Sequence, residues 1–216
     1  MKLRVVRIVR ELIHHLPYSM VGVAASLGFL LAMEKGGWNS HPLGYFHITH
    51  PVHIFLSAIV TTAMFWKYEK QFWKAVVVGL LGVIPICSLS DVVLPYLGGI
   101  LLKTPVVFHL CLVEEPWLVF PACFLGIFSG MIFLKHVEKL TELGHLSHVL
   151  ISSLASLLYL ISFDITLWSG SLSIVFAITL LAVWIPCCLS DIVFPLLFVP
   201  EGAGHTPCCN HHPHDY

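Results

Sequence analysis

Apolar residues fall in six long blocks, near residues 12 to 33, 50 to 67, 74 to 101, 109 to 134, 146 to 164 and 171 to 199, parted by short clusters of polar and charged residues. A helix of roughly 20 apolar residues crosses a bilayer core, so each block predicts one span. The chain therefore reads as all-α, a polytopic membrane protein with six transmembrane helices. The block at 50 to 67 has the shortest apolar core, and Pro51 is expected in its first turn, where a missing amide donor costs little.

Polar positions inside these blocks recur. Leu89-Ser90-Asp91-Val92-Val93-Leu94-Pro95-Tyr96-Leu97 matches Leu189-Ser190-Asp191-Ile192-Val193-Phe194-Pro195-Leu196-Leu197 at six of nine positions, with Cys87 and Cys187 four residues ahead of each Asp. One block earlier, His50-x-x-His53 followed by Ser57 aligns with His145-x-x-His148 followed by Ser152. Earlier still, His14-His15-Leu16-Pro17-Tyr18 corresponds loosely to Glu114-Glu115-Pro116-Trp117. Residues 1 to 104 and 105 to 200 thus form two related three-helix halves, followed by a tail over 201 to 216. Three is odd, so tandem copies are expected to cross the membrane in opposite directions, giving two inverted three-helix repeats. That plan is common among transporters, although duplication also builds membrane scaffolds with no transport role.

Composition agrees with lipid as the solvent. The 216 residues are 57% hydrophobic and 11% charged, against about 25% charged in a soluble domain. The net charge of -1 says little, because the placement of Lys and Arg decides orientation. With the N-terminus inside, only Lys35 and Lys103 of the 11 basic residues fall outside, the expected positive-inside bias. Lys2, Arg4, Arg7 and Arg10 precede an apolar stretch without a small-residue cleavage site, which reads as a retained first helix. These features predict a multi-pass protein of the plasma (inner) membrane with both termini cytoplasmic. Seven Cys, scattered or adjacent, do not suit an extracellular disulfide framework and point to thiols or metal ligands.

Residues three and four apart share a helix face, so His50 with His53, His145 with His148, Cys87 with Asp91 and Cys187 with Asp191 can each converge. Imidazole, carboxylate and thiolate together suit Zn²⁺ and its first-row neighbours rather than Mg²⁺ or Ca²⁺. The predicted topology sorts them by depth: His50, His53, Asp91, Glu114 and Glu115 toward the outer face, and His145, His148, Asp191, His14 and His15 toward the inner. Asp91 and Asp191 carry most weight, since an ionised Asp inside a bilayer costs several kcal/mol without a partner, ion or water path. The plainer account is that each Asp caps a helix broken before Pro95 or Pro195. Glu114 and Glu115 would equally cap a helix start, and His14 and His15 would equally sit at the interface. Cys111 and Cys123 read as contributors to packing or lipid contact. The tail, with Cys208, Cys209, His205, His211, His212 and His214 among Gly and Pro, reads as a disordered cytosolic metal-binding segment, unless it binds metal adventitiously.

The function expected from these residues is transport of a divalent transition-metal ion, Zn-like, by alternating access, with export favoured by the cytosolic tail. Imidazole protonation would couple protons to the ion. An intramembrane metalloenzyme using His and Asp ligands is the alternative, and would need those ligands at one depth. A proton-coupled carrier of a small solute is the third. No Gly-rich phosphate loop or Gly-x-Ser-x-Gly elbow occurs, so no nucleic acid, nucleotide or organic cofactor is expected. The partners expected are the bilayer, metal ions and protons, with homo-oligomerisation left open.

Overall fold

The computed structural model describes residues 2–36, 41–132, 141–163 and 172–198, with only the backbone described for 2–11, 141–145, 192 and 196. The described residues are mostly helical, without strands: α1 (Lys2–Lys35), α2 (Pro42–Tyr68), α3 (Phe72–Ser88), α4 (Leu94–Leu101), α5 (Cys111–Glu114), α6 (Pro116–Ile132), α7 (Thr141–Ile161), α8 (Leu172–Cys188) and α9 (Phe194–Leu197). A single π-helical turn joins α3 to α4 at Leu89–Val93, and another joins α8 to α9 at Leu189–Val193. Four stretches are long and apolar enough to cross a membrane: Leu12–Lys35, Pro42–Tyr68, Phe72–Leu101 and Leu172–Asp191. The blocks at 109 to 134 and 146 to 164 give the shorter apolar helices Pro116–Ile132 and Leu146–Ile161.

Helix α2 starts well before the hydropathy block, at Pro42, so Pro51 lies inside the helix and not in its first turn. The block looked short because His50, His53, Ser57, Thr61 and Thr62 dilute its hydropathy. All five are fully buried, and none meets lipid. A hydropathy window reports what lipid would tolerate, and α2 faces protein. It packs against α3, α6 and α7, while α7 packs in turn against α1, α2 and α8.

Close approach of α2 and α6 depends on Gly126 and Gly130, spaced four apart on one face of α6. A Cβ on Gly126 would meet the Phe55 carbonyl oxygen and lie 2.6 Å from Ala58 Cβ; one on Gly130 would lie 2.6 Å from the Ile59 carbonyl oxygen. Small residues at this spacing let helix backbones approach where lipid supplies no hydrophobic drive toward association.

The π-turns correct the expectation of breaks at Pro95 and Pro195: the helices widen and continue. The Leu94 N–H donates to the Leu89 carbonyl and the Phe194 N–H to the Leu189 carbonyl, each five residues back. The next carbonyls, of Ser90 and Ser190, would take their five-back bonds from Pro95 and Pro195, which have no N–H. Hydroxyls from distant helices fill the gap: Ser156 Oγ donates to the Ser90 carbonyl at 3.1 Å and Thr61 Oγ to the Ser190 carbonyl at 3.2 Å. Removing such a donor leaves a buried acceptor unpaired, at about 1–3 kcal/mol. Ser156→Ala and Thr61→Val are each expected to lower the unfolding temperature of the detergent-solubilised protein, whereas Ser129→Ala, at an exposed serine that bonds its own helix, is not. Equal unfolding temperatures for all three would contradict this account of the π-turns.

Candidate metal centre

The two π-turns bring Asp91 and Asp191 to the middle of the molecule, facing α2 and α7. Asp91 Oδ2 lies 2.8 Å from His50 Nδ1 and 2.7 Å from His53 Nδ1, while its Oδ1 accepts from Ser152 Oγ at 3.0 Å. Asp191 Oδ2 lies 2.6 Å from His148 Nδ1, and its Oδ1 accepts from Ser57 Oγ at 3.2 Å. Each half therefore supplies an Asp whose oxygens meet a His of its own half and a Ser of the other. The serines follow the same exchange: Ser90 pairs with Ser152 at 2.9 Å and Ser190 with Ser57 at 3.1 Å.

Ring tautomers follow from these contacts. An ionised carboxylate only accepts, so a ring nitrogen facing it must carry the proton. With Nδ1 of His53 and of His148 turned to Asp91 and Asp191, the two Nε2 atoms face one another at 2.6 Å. Two converging lone pairs repel unless a proton or a metal cation lies between them. A carboxylate on the far ring nitrogen is also the usual support of a metal-binding histidine, because it fixes the ring and raises its basicity. Cys87 Sγ and Cys187 Sγ each lie 3.8 Å from His53 Nε2, so thiols flank the same point. The donors of His53, His148 and Cys187 lie within 4.8 Å of one another, as do those of His50, His53 and Asp91. A tetrahedral ion holds two imidazole nitrogens about 3.3 Å apart, so the rings need open by less than about 1 Å to receive one.

Charge points the same way. Asp91, His50, His53 and His148 are fully buried, and the two aspartates meet imidazoles and hydroxyls. Buried carboxylates are costly without a positive partner, and a proton on the facing imidazoles or a divalent cation between them supplies one. His50 adds a further vacant donor. Its Nε2 is buried without a hydrogen-bond partner among the described residues, its ring stacked on Phe46 at 5.4 Å.

Comparison of the chain with protein-family models, curated proteins and solved structures finds no match. What the centre does must be argued from its own geometry.

That geometry corrects the expected division by depth. His50, His53 and Asp91 do not form an outer cluster apart from an inner one of His148 and Asp191, because His53 and His148 touch. Helices α2 and α7 pack against each other, and a linear topology diagram does not record which of their residues meet. Glu114 and Glu115 stay away from this centre. Glu115 Oε1 lies 3.4 Å from His47 Nδ1 and Glu114 Oε2 lies 2.7 Å from His109 Nδ1. His14 and His15 meet one another and Tyr18. The side chain of His145, and Cys208, Cys209, His205, His211, His212 and His214 of the tail, lie outside the described residues.

Sequence reasoning missed His47 and His109, and Cys111 as more than a packing residue. A signal for the first was present: His47-x-x-His50-x-x-His53 continues the three-residue spacing one turn further. His109 carries no such mark, since its neighbours are brought to it only by the fold.

Proposed function

We propose that the protein is a membrane transporter of a divalent transition-metal ion, Zn²⁺-like in its ligand preference, with the His53–His148 pair as its central site. The observation that carries this is the pair itself: two buried imidazoles, each backed by an aspartate, presenting their Nε2 atoms to one another beside two thiols. We also propose that the chain comprises six spans in two inverted three-helix repeats, with α1–α4 in one and α6–α9 in the other. Support comes from the matched bonds at Ser57 and Ser152, Thr61 and Ser156, Ser90 and Ser190, and Asp91 and Asp191. Each donor of one half engages the other half in the same way. Inverted-repeat transporters hold their substrate where the halves meet, on helices whose regular hydrogen bonding is interrupted; here the interruptions are the π-turns.

A metal-activated water in an intramembrane enzyme is favoured by one observation, the gathering of the ligands at one point rather than two. Such an enzyme also needs a cavity for its substrate and an open coordination position. Burial of His50, His53, His148 and Asp91 on every side suits an ion occluded between two openings better.

Reconstituted vesicles loaded with a metal-sensitive dye test the proposal. Zn²⁺, Co²⁺, Mn²⁺ and Ni²⁺ are supplied on either side, which also measures direction. Wild type is expected to carry Zn²⁺ and Co²⁺ faster than protein-free vesicles and to discriminate against Mn²⁺, which favours oxygen ligands. His53→Ala and His148→Ala are expected to reduce Zn²⁺ flux to the protein-free rate. Wild-type flux indistinguishable from that of empty vesicles for all four ions sinks the transport proposal.

A further inference from the structure

His47, His109, Cys111 and Glu115 lie where α2 and α6 begin, one helical turn beyond His50. The His47 and His109 rings present their Nε2 atoms to one another at 2.9 Å. Their other nitrogens face carboxylates, Glu115 at 3.4 Å and Glu114 at 2.7 Å. The two Nε2 atoms converge on one point, and His47, His109, Cys111 and Glu115 each offer one donor atom, all within 4.8 Å of one another. Two imidazoles, a thiol and a carboxylate make a tetrahedral donor set typical of Zn²⁺ and Co²⁺.

The surroundings are built to hold these groups. Tyr159 of α7 donates from its hydroxyl to the Val107 carbonyl at 2.8 Å and accepts from the His109 N–H at 3.3 Å, which pins the extended strap after α4 so that His109 faces α2. Phe46 stacks on His50 and meets Tyr159 edge-on, forming an apolar partition between this group and the centre. Unlike the central residues, these are partly exposed: His47 is 23% exposed, His109 15%, Glu115 21% and Glu114 50%.

We infer that His47, His109, Cys111 and Glu115 form a second, partly exposed site for a divalent transition-metal ion, separate from the central one. The two sites stand about 9 Å apart along α2, six residues at 1.5 Å each, with His50 and its vacant Nε2 midway. A collecting site thus stands at one mouth of the protein, from which His47, His50 and His53 make successive steps inward. Only this last statement, the inward route, rests on the transport proposal; ion binding at the mouth stands without it.

Equilibrium dialysis of the full-length protein in lipid nanodiscs against Co²⁺ alone, with the visible spectrum of the bound ion, tests the site. Ions held by the tail contribute equally to every variant compared, so the readout is the difference between variants. Relative to wild type, His109→Ala and the near-isosteric Glu115→Gln are each expected to lose one equivalent of Co²⁺, as is the double variant His53→Ala/His148→Ala. In that double variant, Cys111→Ser is expected to remove a sulfur-to-cobalt charge-transfer band. Retention of every equivalent by both His109→Ala and Glu115→Gln overturns the second site, as does a spectrum unmoved by Cys111→Ser. Failure of flux with this equivalent intact counts against transport and leaves the site standing.

Discussion

Asp91→Asn is expected to lower the affinity of the central site for Zn²⁺ by about 10- to 100-fold, the usual cost of losing a carboxylate that supports a metal-binding imidazole. The change is nearly isosteric, so the loss is chemical rather than steric. An amide in place of the carboxylate removes a negative charge that a cation at the site offsets. It also offers an N–H as readily as an oxygen to the His50 and His53 nitrogens now 2.8 and 2.7 Å from Oδ2. A ring facing an amide N–H flips its tautomer, and His53 Nε2 then carries a proton into the gap where His148 Nε2 lies 2.6 Å away. Asp191→Asn acts in the same way through His148. The two variants are therefore expected to weaken binding to similar extents, read by competition with a fluorescent Zn²⁺ chelator and by flux in vesicles. Unchanged affinity in both would remove the central site as drawn, whatever the fate of the site at the mouth.

Gly126→Val is expected to disrupt the fold more than any other single change to an apolar position. Its branched side chain would enter the space held by the Phe55 carbonyl oxygen and Ala58, so α2 and α6 must separate. Overpacking typically costs about 1–3 kcal/mol, and backbone cannot rotate aside as a side chain can. Helix α2 carries His47, His50, His53, Ser57 and Thr61, so its displacement also disturbs both sites. The expected result is loss of the monodisperse protein on extraction, or a large fall in unfolding temperature, with Gly126→Ala intermediate. Gly28→Ala is the control: a Cβ there meets nothing within 4 Å, and Ala favours the helix over Gly by up to about 1 kcal/mol. A Gly126→Val protein as stable as the Gly28→Ala protein would show that α2 and α6 do not meet as described.

Much was legible in the chain itself. Apolar blocks gave the helices because in lipid a backbone must satisfy its own hydrogen bonds, so a long apolar run has one conformation open to it. The Leu-Ser-Asp repeat picked out Asp91 and Asp191, and the three-residue His spacing picked out His50, His53 and His148, since local spacing fixes which side chains share a helix face. Residue types alone suggested groups of His, Cys and Asp that could hold a metal. The start of α2 at Pro42 was hidden because burial in protein permits polar residues that burial in lipid does not. The joining of His53 to His148, residues 95 apart in the chain, was decided by tertiary structure, as were the separation of Glu114 and Glu115 from Asp91 and the recruitment of His47, His109 and Cys111. Sequence periodicity records the direction of a side chain about its own helix axis; where two axes cross, and at what depth their polar faces meet, is settled only when the helices pack.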